Sequence, residues 1–286
     1  YSNHKYDTGD YETIDPMFGD EETFKELCSK AKEMGIRIIL DGVFNHTGSN
    51  SRYFNKYGEY DSIGAYQSKE SPYYTWFRFM DWPDVYESWW GMTTLPQIEE
   101  HSEECRKYLL SDKDAIVKRW IKNGASGWRL DVVDELPGFF VKELRENVKK
   151  ADKDAVIIGE VWEDASNKSA YGERREYFLG KELDSVMNYP FRNAILALLN
   201  GTATSDEFAS QIMTIAENYP SEVLNCLMNS LSTHDTARIF TTLTGADMNM
   251  TREQKADYVF TDGERQRAQA LLKTAVFLQF FLPGCA

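Results

Sequence analysis

The sequence predicts an α/β fold on a parallel sheet and, among such folds, a β/α barrel. Three observations carry this. Helix, glycine turn and short strand follow one another repeatedly along the 286 residues. The strand segments are apolar on both faces, as strands buried between helical layers are. Acids and histidines gather at the C-terminal ends of these strands, where barrel enzymes assemble their sites from several strands at once. No GxGxxG or phosphate loop follows any strand, which disfavours a doubly wound nucleotide fold.

The elements follow in order. "EETFKELCSKAKEMG" places Phe24, Leu27, Cys28, Ala31 and Met34 on one helical stripe and ends at Gly35. The run "IRIILDGVFNH" gives a strand over 36–41. "DAIVKRWIKNGASGWRLD" reads as helix, glycine turn and a strand over 127–131. "LPGFFVKELRENVKKADKDAVIIGEVW" repeats the pattern, with a strand over 156–160. "ELDSVMNY" gives a strand over 183–188, before the helix "PFRNAILALLNG". "SDEFASQIMTIAENYP" is a helix leading to a strand over 224–231, and "ERQRAQALLKTAVFLQFF" is a closing helix. Between strand 36–41 and the helix that precedes strand 127–131, the segment 48–95 lacks periodicity and is rich in aromatics. So long a structureless loop is unusual in a compact domain. It is therefore expected to be a small inserted subdomain, with most of its rings in a core of its own and two or three facing a ligand.

Composition narrows the partners. A net charge of −14 argues against nucleic acid, whose binding needs a cationic footprint, and against anionic membrane surfaces. No apolar run is long enough to span a bilayer. Aromatic content of 14% suits neutral, hydroxyl-rich ligands held on flat faces, and equally a well-packed core. Cys28, Cys105, Cys226 and Cys285 show no CxxC pairing, so neither a zinc site nor a disulfide framework is expected; Cys28 falls on a helix stripe as a buried thiol.

The stretch "GWRLDVVDE" at 127–135 is the most informative. Arg129 and Asp131 share a strand face by the period of two. Buried charges need partners, so Arg129 is expected to keep Asp131 ionised and to lower its pKa. Glu160, at the end of the apolar strand "DAVIIGEVW" and near Trp162, is expected to have a raised pKa. Asp235 stands beside His234. A carboxylate pair across a glycosidic bond can supply a nucleophile and an acid/base.

With these residues in view, "DGVFNH" (41–46), "GWRLDVVDE" (127–135), "GEVW" (159–162) and "STHDTAR" (232–238) resemble, in order and spacing, the four signature regions of the alpha-amylase family, glycoside hydrolase family 13. "HKYDTGDYETIDPMFGD" (4–20) resembles the family's approach to its third strand, and "WWGMTTLPQI" (89–98) its fifth region. The likeness is greatest to the neopullulanase, cyclomaltodextrinase and amylopullulanase branch. It implies a (β/α)8 TIM barrel and a retaining enzyme acting on α-1,4, or α-1,6, bonds of an α-glucan. By motif position Asp131 corresponds to the nucleophile, Glu160 to the general acid/base and Asp235 to the transition-state stabiliser. His4, Tyr6, His46, Arg129 and His234 correspond to residues that bind the sugar at the cleaved bond, with Tyr6 presenting its ring and the two histidines 46 and 234 donating hydrogen bonds. Asn45 matches a calcium ligand, but Asp134–Glu135 replaces the Lys-His that ends this region in many relatives, so no cofactor is required and calcium is an open alternative.

Relative to that barrel, the chain is expected to lack strands 1 and 2 and most of strand 8. The strands at 36–41 and 224–231 would then lack outer neighbours. Two other readings stay open: a transglycosylase using the same site, and a non-catalytic glucan-binding relative. The three retained carboxylates weigh against the second.

Overall fold

The computed structural model describes residues 2–246 and 249–286. The chain divides into two compact units: the first holds the residues up to Glu160 together with Ser169–Leu183, the second Val161–Lys168 and the residues from Asp184.

The first unit is built on parallel strands β1 (Leu40–Gly42), β2 (Gly127–Leu130) and β3 (Val156–Gly159), with β2 between β1 and β3. The register sets Asp41 beside Arg129, and Arg129 beside Ile158. Hydrogen bonds run one step past each ladder, from Asp131 N to Gly42 O (3.1 Å) and from Glu160 N to Leu130 O (3.0 Å). Both carboxylates therefore leave the sheet at the C-terminal ends of adjacent strands.

Helix α1 (Glu21–Glu33) starts at Asp20, whose side chain accepts from Thr23 N at 2.8 Å. Acids occupy its first turn and lysines its last, complementing the helix dipole. Gly35 ends it with φ 76°, a conformation that costs glycine nothing. Phe24, Cys28 and Ala31 are buried, but Leu27 and Met34 are exposed, as are Ile36 and Ile39. Three of the five residues of the predicted stripe are covered. Helices α2 (Ile116–Lys122) and α3 (Gly138–Ala151) bury Ile116, Val117, Trp120 and Ile121, and Phe140, Val141, Leu144 and Val148. Phe44 joins them to the sheet, with ring centroids 5.5 Å from Trp128 and 6.4 Å from Phe140.

The segment 48–95 enters and leaves side by side: Thr47 N bonds Pro96 O (3.1 Å) and Ser49 N bonds Thr94 O (2.8 Å). It carries a hairpin, Phe79–Asp81 with Val85–Tyr86, and a core of rings. Tyr53 and Phe54 are fully buried there, Phe54 against Phe77 (4.9 Å) and Tyr86 (4.7 Å), Tyr53 stacked on Trp76 (5.0 Å).

In the second unit, β4 (Ser185–Val186) precedes α4 (Tyr189–Leu199), capped by Asn188 with a proline in its first turn. Helices α5 (Ser205–Asn218) and α6 (Asp262–Phe281) both open with capping boxes, Thr204/Glu207 and Thr261/Glu264. Ile195, Leu196, Leu231, Leu243, Ala268 and Ala275 form its core. Val276, Phe277, Phe280 and Phe281 of α6 are exposed.

Strand lengths depart from the sequence reading. Of 36–41 only Leu40 onward pairs as a ladder, and of 183–188 only Ser185–Val186. The strand expected over 224–231 is not formed. Pro220 caps a helical turn, Ser221–Leu224, and only Met228 bridges, in parallel, to Met187 on one side and Cys285 on the other. A single bridged residue cannot propagate a ladder. Met228 nevertheless has an outer neighbour in Cys285, which the sequence reading did not anticipate.

The closest backbone approach in the sheet is at Gly127, where an added Cβ would lie 2.2 Å from Val156 O. Gly127→Ala is expected to destabilise the chain by about 2 kcal/mol or more, since backbone cannot yield as a side chain can. A denaturant midpoint equal to that of the unaltered chain would refute this.

Candidate active site

The site in the first unit is organised by the guanidinium of Arg129, which is largely buried. Its Nη1 donates to Asp41 Oδ1 and to Asp131 Oδ1, each at 2.8 Å. Its Nη2 lies 2.7 Å from Glu160 Oε2. One cation thus touches three carboxylates, an arrangement that the several fixed N–H groups of a guanidinium fork suit. Burial alone would favour loss of its proton, but Asp41, Glu160 and Asp131 hold it charged.

Each carboxylate has a further partner or neighbour. Tyr6 Oη donates to Asp41 Oδ2 at 2.6 Å. Val132 N donates to Glu160 Oε2 at 2.9 Å. To do so Val132 adopts φ 37°, ψ 55°, a left-handed conformation unusual for a β-branched residue and held only by its surroundings. Asn45 Nδ2 donates to the Asp131 carbonyl at 3.2 Å. Glu160 therefore sits among a cation and an amide donor rather than in the apolar pocket that its strand suggested.

The expectation for Asp131 is reversed. Arg129 does favour its ionised form, but burial outweighs that, and Glu160 adds repulsion, so its pKa is pushed up to about 7. The guanidinium is shared by three acids and cannot neutralise all of them.

Tyr6 presents its ring to this centre, with Arg129 Cζ 6.0 Å from the ring centroid and His4 stacked at 6.2 Å. Burial, reinforced by the adjacent Asp41, holds its phenol well above the ordinary value, so it remains a donor. His46 is buried and its Nε2 lies 2.9 Å from Tyr6 O. A carbonyl only accepts, so Nε2 carries the proton and spends it there. The remaining Nδ1 is an acceptor, and burial pulls the ring's pKa down to about 4, so it is neutral. The ring nitrogen of His46 foreseen as a donor to a sugar hydroxyl is, in this structure, bonded to Tyr6 O.

His234 and Asp235 lie in the second unit, exposed, with His234 Nε2 3.2 Å from Asp235 Oδ2. Asn45 Oδ1 is buried without a hydrogen-bond partner, a single hard oxygen. A calcium ion takes about six to eight oxygens. Asp134 and Glu135, which end the second motif, are engaged, Asp134 by Tyr177 Oη (2.6 Å) and Glu135 by two indoles (2.5 and 2.7 Å). Among the described residues no group of three His, Cys, Asp or Glu side chains could hold a metal.

Sequence reasoning missed the role of Asp41. Its signal was present: it opens "DGVFNH" at a strand end, across the register from Arg129.

The catalytic-domain model of alpha amylase matches residues 1–262. The chain belongs to the alpha-amylase family. It is 38% identical, over its whole length, to an amylopullulanase of Thermoanaerobacterium thermosulfurigenes, of which it spans 16%, and 34% identical to neopullulanase 2 of Thermoactinomyces vulgaris over 85% of the chain and 40% of that relative. Among solved structures it is similar to the type III pullulan hydrolase from Thermococcus kodakarensis (TM-score 0.80, 32% identity, 98% of this chain and 45% of that one) and to a debranching enzyme of Nostoc punctiforme (TM-score 0.80, 29% identity, 100% and 58%). The chain spans well under half the length of these curated relatives. The parallel β2 and β3, with α3 crossing between them, are the α/β arrangement expected of an alpha-amylase catalytic domain.

A carboxyl titrating higher in the fold than when unfolded makes the unfolded state the weaker proton binder between about pH 4 and 7. Asp131 therefore subtracts stability as pH rises through that window. Asp131→Asn should gain on the unaltered chain by a few kcal/mol between pH 4 and 8, read from denaturation at each pH. A stability difference that stays constant with pH would show that Asp131 is not so shifted.

Proposed function

We propose that this chain supplies the catalytic centre of a retaining α-glucan hydrolase that cleaves α-1,4, or α-1,6, glucosidic bonds in starch, pullulan, cyclodextrins or maltooligosaccharides. The observation that carries the reading is the single guanidinium in contact with both Asp131 and Glu160 at adjacent strand ends. In a retaining mechanism two carboxyls stand about 5–5.5 Å apart, and a shared cation is one way to hold them that close. In its ionised form, which Arg129 favours, Asp131 would attack the anomeric carbon while Glu160 gives its proton to the departing glycosidic oxygen. Water, deprotonated by Glu160, would then release the sugar from Asp131 with its configuration retained. Asp235 is assigned to transition-state stabilisation by motif position, with His234 beside it. Tyr6, braced by Asp41 and His46, offers the ring on which the sugar at the cleaved bond stacks. The names of the relatives support the substrate class: amylopullulanase, neopullulanase and cyclomaltodextrinase.

We read 48–95 as an inserted subdomain of a (β/α)8 barrel. The uncovered apolar side chains on α1 and α6 are the surfaces where further barrel elements would pack. No helix among the described residues is long and apolar enough to cross a membrane.

Asp131→Asn is expected to abolish release of reducing ends from maltohexaose, and Glu160→Gln to slow it by ~10²–10⁴-fold while the glucan still binds. NMR of the first-formed product should show the α-anomer. Undiminished turnover in either variant, or a β-product, would overturn the assignment. No metal enters this scheme, so treatment with EDTA should leave turnover and the unfolding temperature unchanged. A loss restored by calcium would instead show that the protein requires the ion.

A further inference from the structure

Glu135, four residues beyond Asp131, has its two oxygens taken by two neighbouring tryptophans. Trp89 Nε1 donates to Oε2 at 2.5 Å and Trp90 Nε1 to Oε1 at 2.7 Å. The two indoles stack with centroids 4.8 Å apart and planes 9° from parallel. On the inner side, Trp89 meets the ring of His46 at 5.2 Å, and His46 in turn bonds Tyr6 of the catalytic cluster. On the outer side, Trp90 is 73% exposed. It is held at φ 50°, ψ 31°, a left-handed conformation that a bulky residue occupies only under constraint.

This arrangement is poorly explained by stability. An indole left in water contributes little to folding, while a half-buried carboxylate and a strained backbone both cost free energy. What the arrangement does provide is rigidity. Two flat rings are fixed edge-on to one acid, with one broad apolar face left open.

We propose that Trp89 and Trp90 form a fixed stacking platform for a pyranose ring of the bound α-glucan beyond the unit held on Tyr6, and that Glu135 is the positioning residue that sets the platform. The proposal rests on the α-glucan reading of the site. Both indole N–H groups are spent on Glu135, so the platform binds through the apolar face of the sugar and not through its hydroxyls. A ring already immobilised loses no further rotamer freedom when the sugar arrives. The platform extends the bound length of chain away from the cleavage centre and therefore favours longer glucans.

The test uses the Glu160→Gln chain, in which turnover is slowed enough for maltohexaose binding to be measured. Its Kd is measured by calorimetry alone and with Trp90→Ala, Trp90→Phe or Glu135→Gln added. Trp90→Ala should raise the Kd about tenfold, and Trp90→Phe, which keeps a flat face, should recover most of the affinity. Glutamine can accept from one indole but presents an amide to the other, so Glu135→Gln should raise the Kd several-fold. It should also weaken the exciton couplet that a stacked indole pair gives in circular dichroism, a signature that a purely structural residue would not control. Binding by the Glu160→Gln chain that is unaltered by Trp90→Ala, or a couplet and Kd unmoved by Glu135→Gln, would overturn the platform while leaving the hydrolase reading intact. Failure of the Glu160→Gln chain itself to bind maltohexaose would overturn both. Should Trp90→Ala not fold, the Trp90→Phe and Glu135→Gln pair decides by the same measures.

Discussion

Everything at the candidate site depends on one buried guanidinium. Arg129 meets Asp41, Asp131 and Glu160 at once. Removing one partner from a buried ionic cluster leaves the rest uncompensated, which is far costlier than losing a surface pair. The parallel register makes the contact. Asp41 stands directly across from Arg129, and the strands on either side end where a carboxylate can turn toward the same fork.

The same interaction sets the chemistry. Three acids around one cation leave net negative charge, and two of them, Asp131 and Glu160, are buried. Desolvation then prevails over the salt bridge, and Asp131 holds its proton to about pH 7. The remaining polar groups complete the arrangement: the Tyr6 hydroxyl on Asp41, the Val132 amide on Glu160, the His46 imidazole on Tyr6. The strain at Val132 is the local cost of aiming an amide at a carboxylate.

Around this centre the aromatic residues divide by role. Tyr53, Phe54, Trp76, Phe77 and Tyr86 close a dry core within 48–95. The Trp89–Trp90 pair instead keeps a face open at Trp90, and both it and Tyr6 are anchored through polar atoms to an acid: Tyr6 to Asp41, the indoles to Glu135. An aromatic ring so anchored loses little entropy on meeting a ligand, which is the physical difference between a ring that fills space and one that recognises.

The sequence by itself determined the alternation of helix and strand, because periodicity, caps and glycine stops are local: α1 with Asp20 and Gly35, and α5 and α6 with their Thr/Glu boxes. It also determined which residues gather at strand ends, since Asp131 and Glu160 follow directly on apolar runs. It could not determine strand length at 224–231, where pairing needs neighbours distant in the chain and Pro220 starts a helical turn instead. Nor could it weigh burial against charge. From "RLD" alone Arg129 should lower the pKa of Asp131, and only the packed site shows that the same arginine also serves Asp41 and Glu160. The bond from His46 to Tyr6 and the capture of two indoles by Glu135 join residues 40 and 45 or more positions apart. Such contacts are set by the register of strands and the path of loops, and no local pattern of residues encodes them.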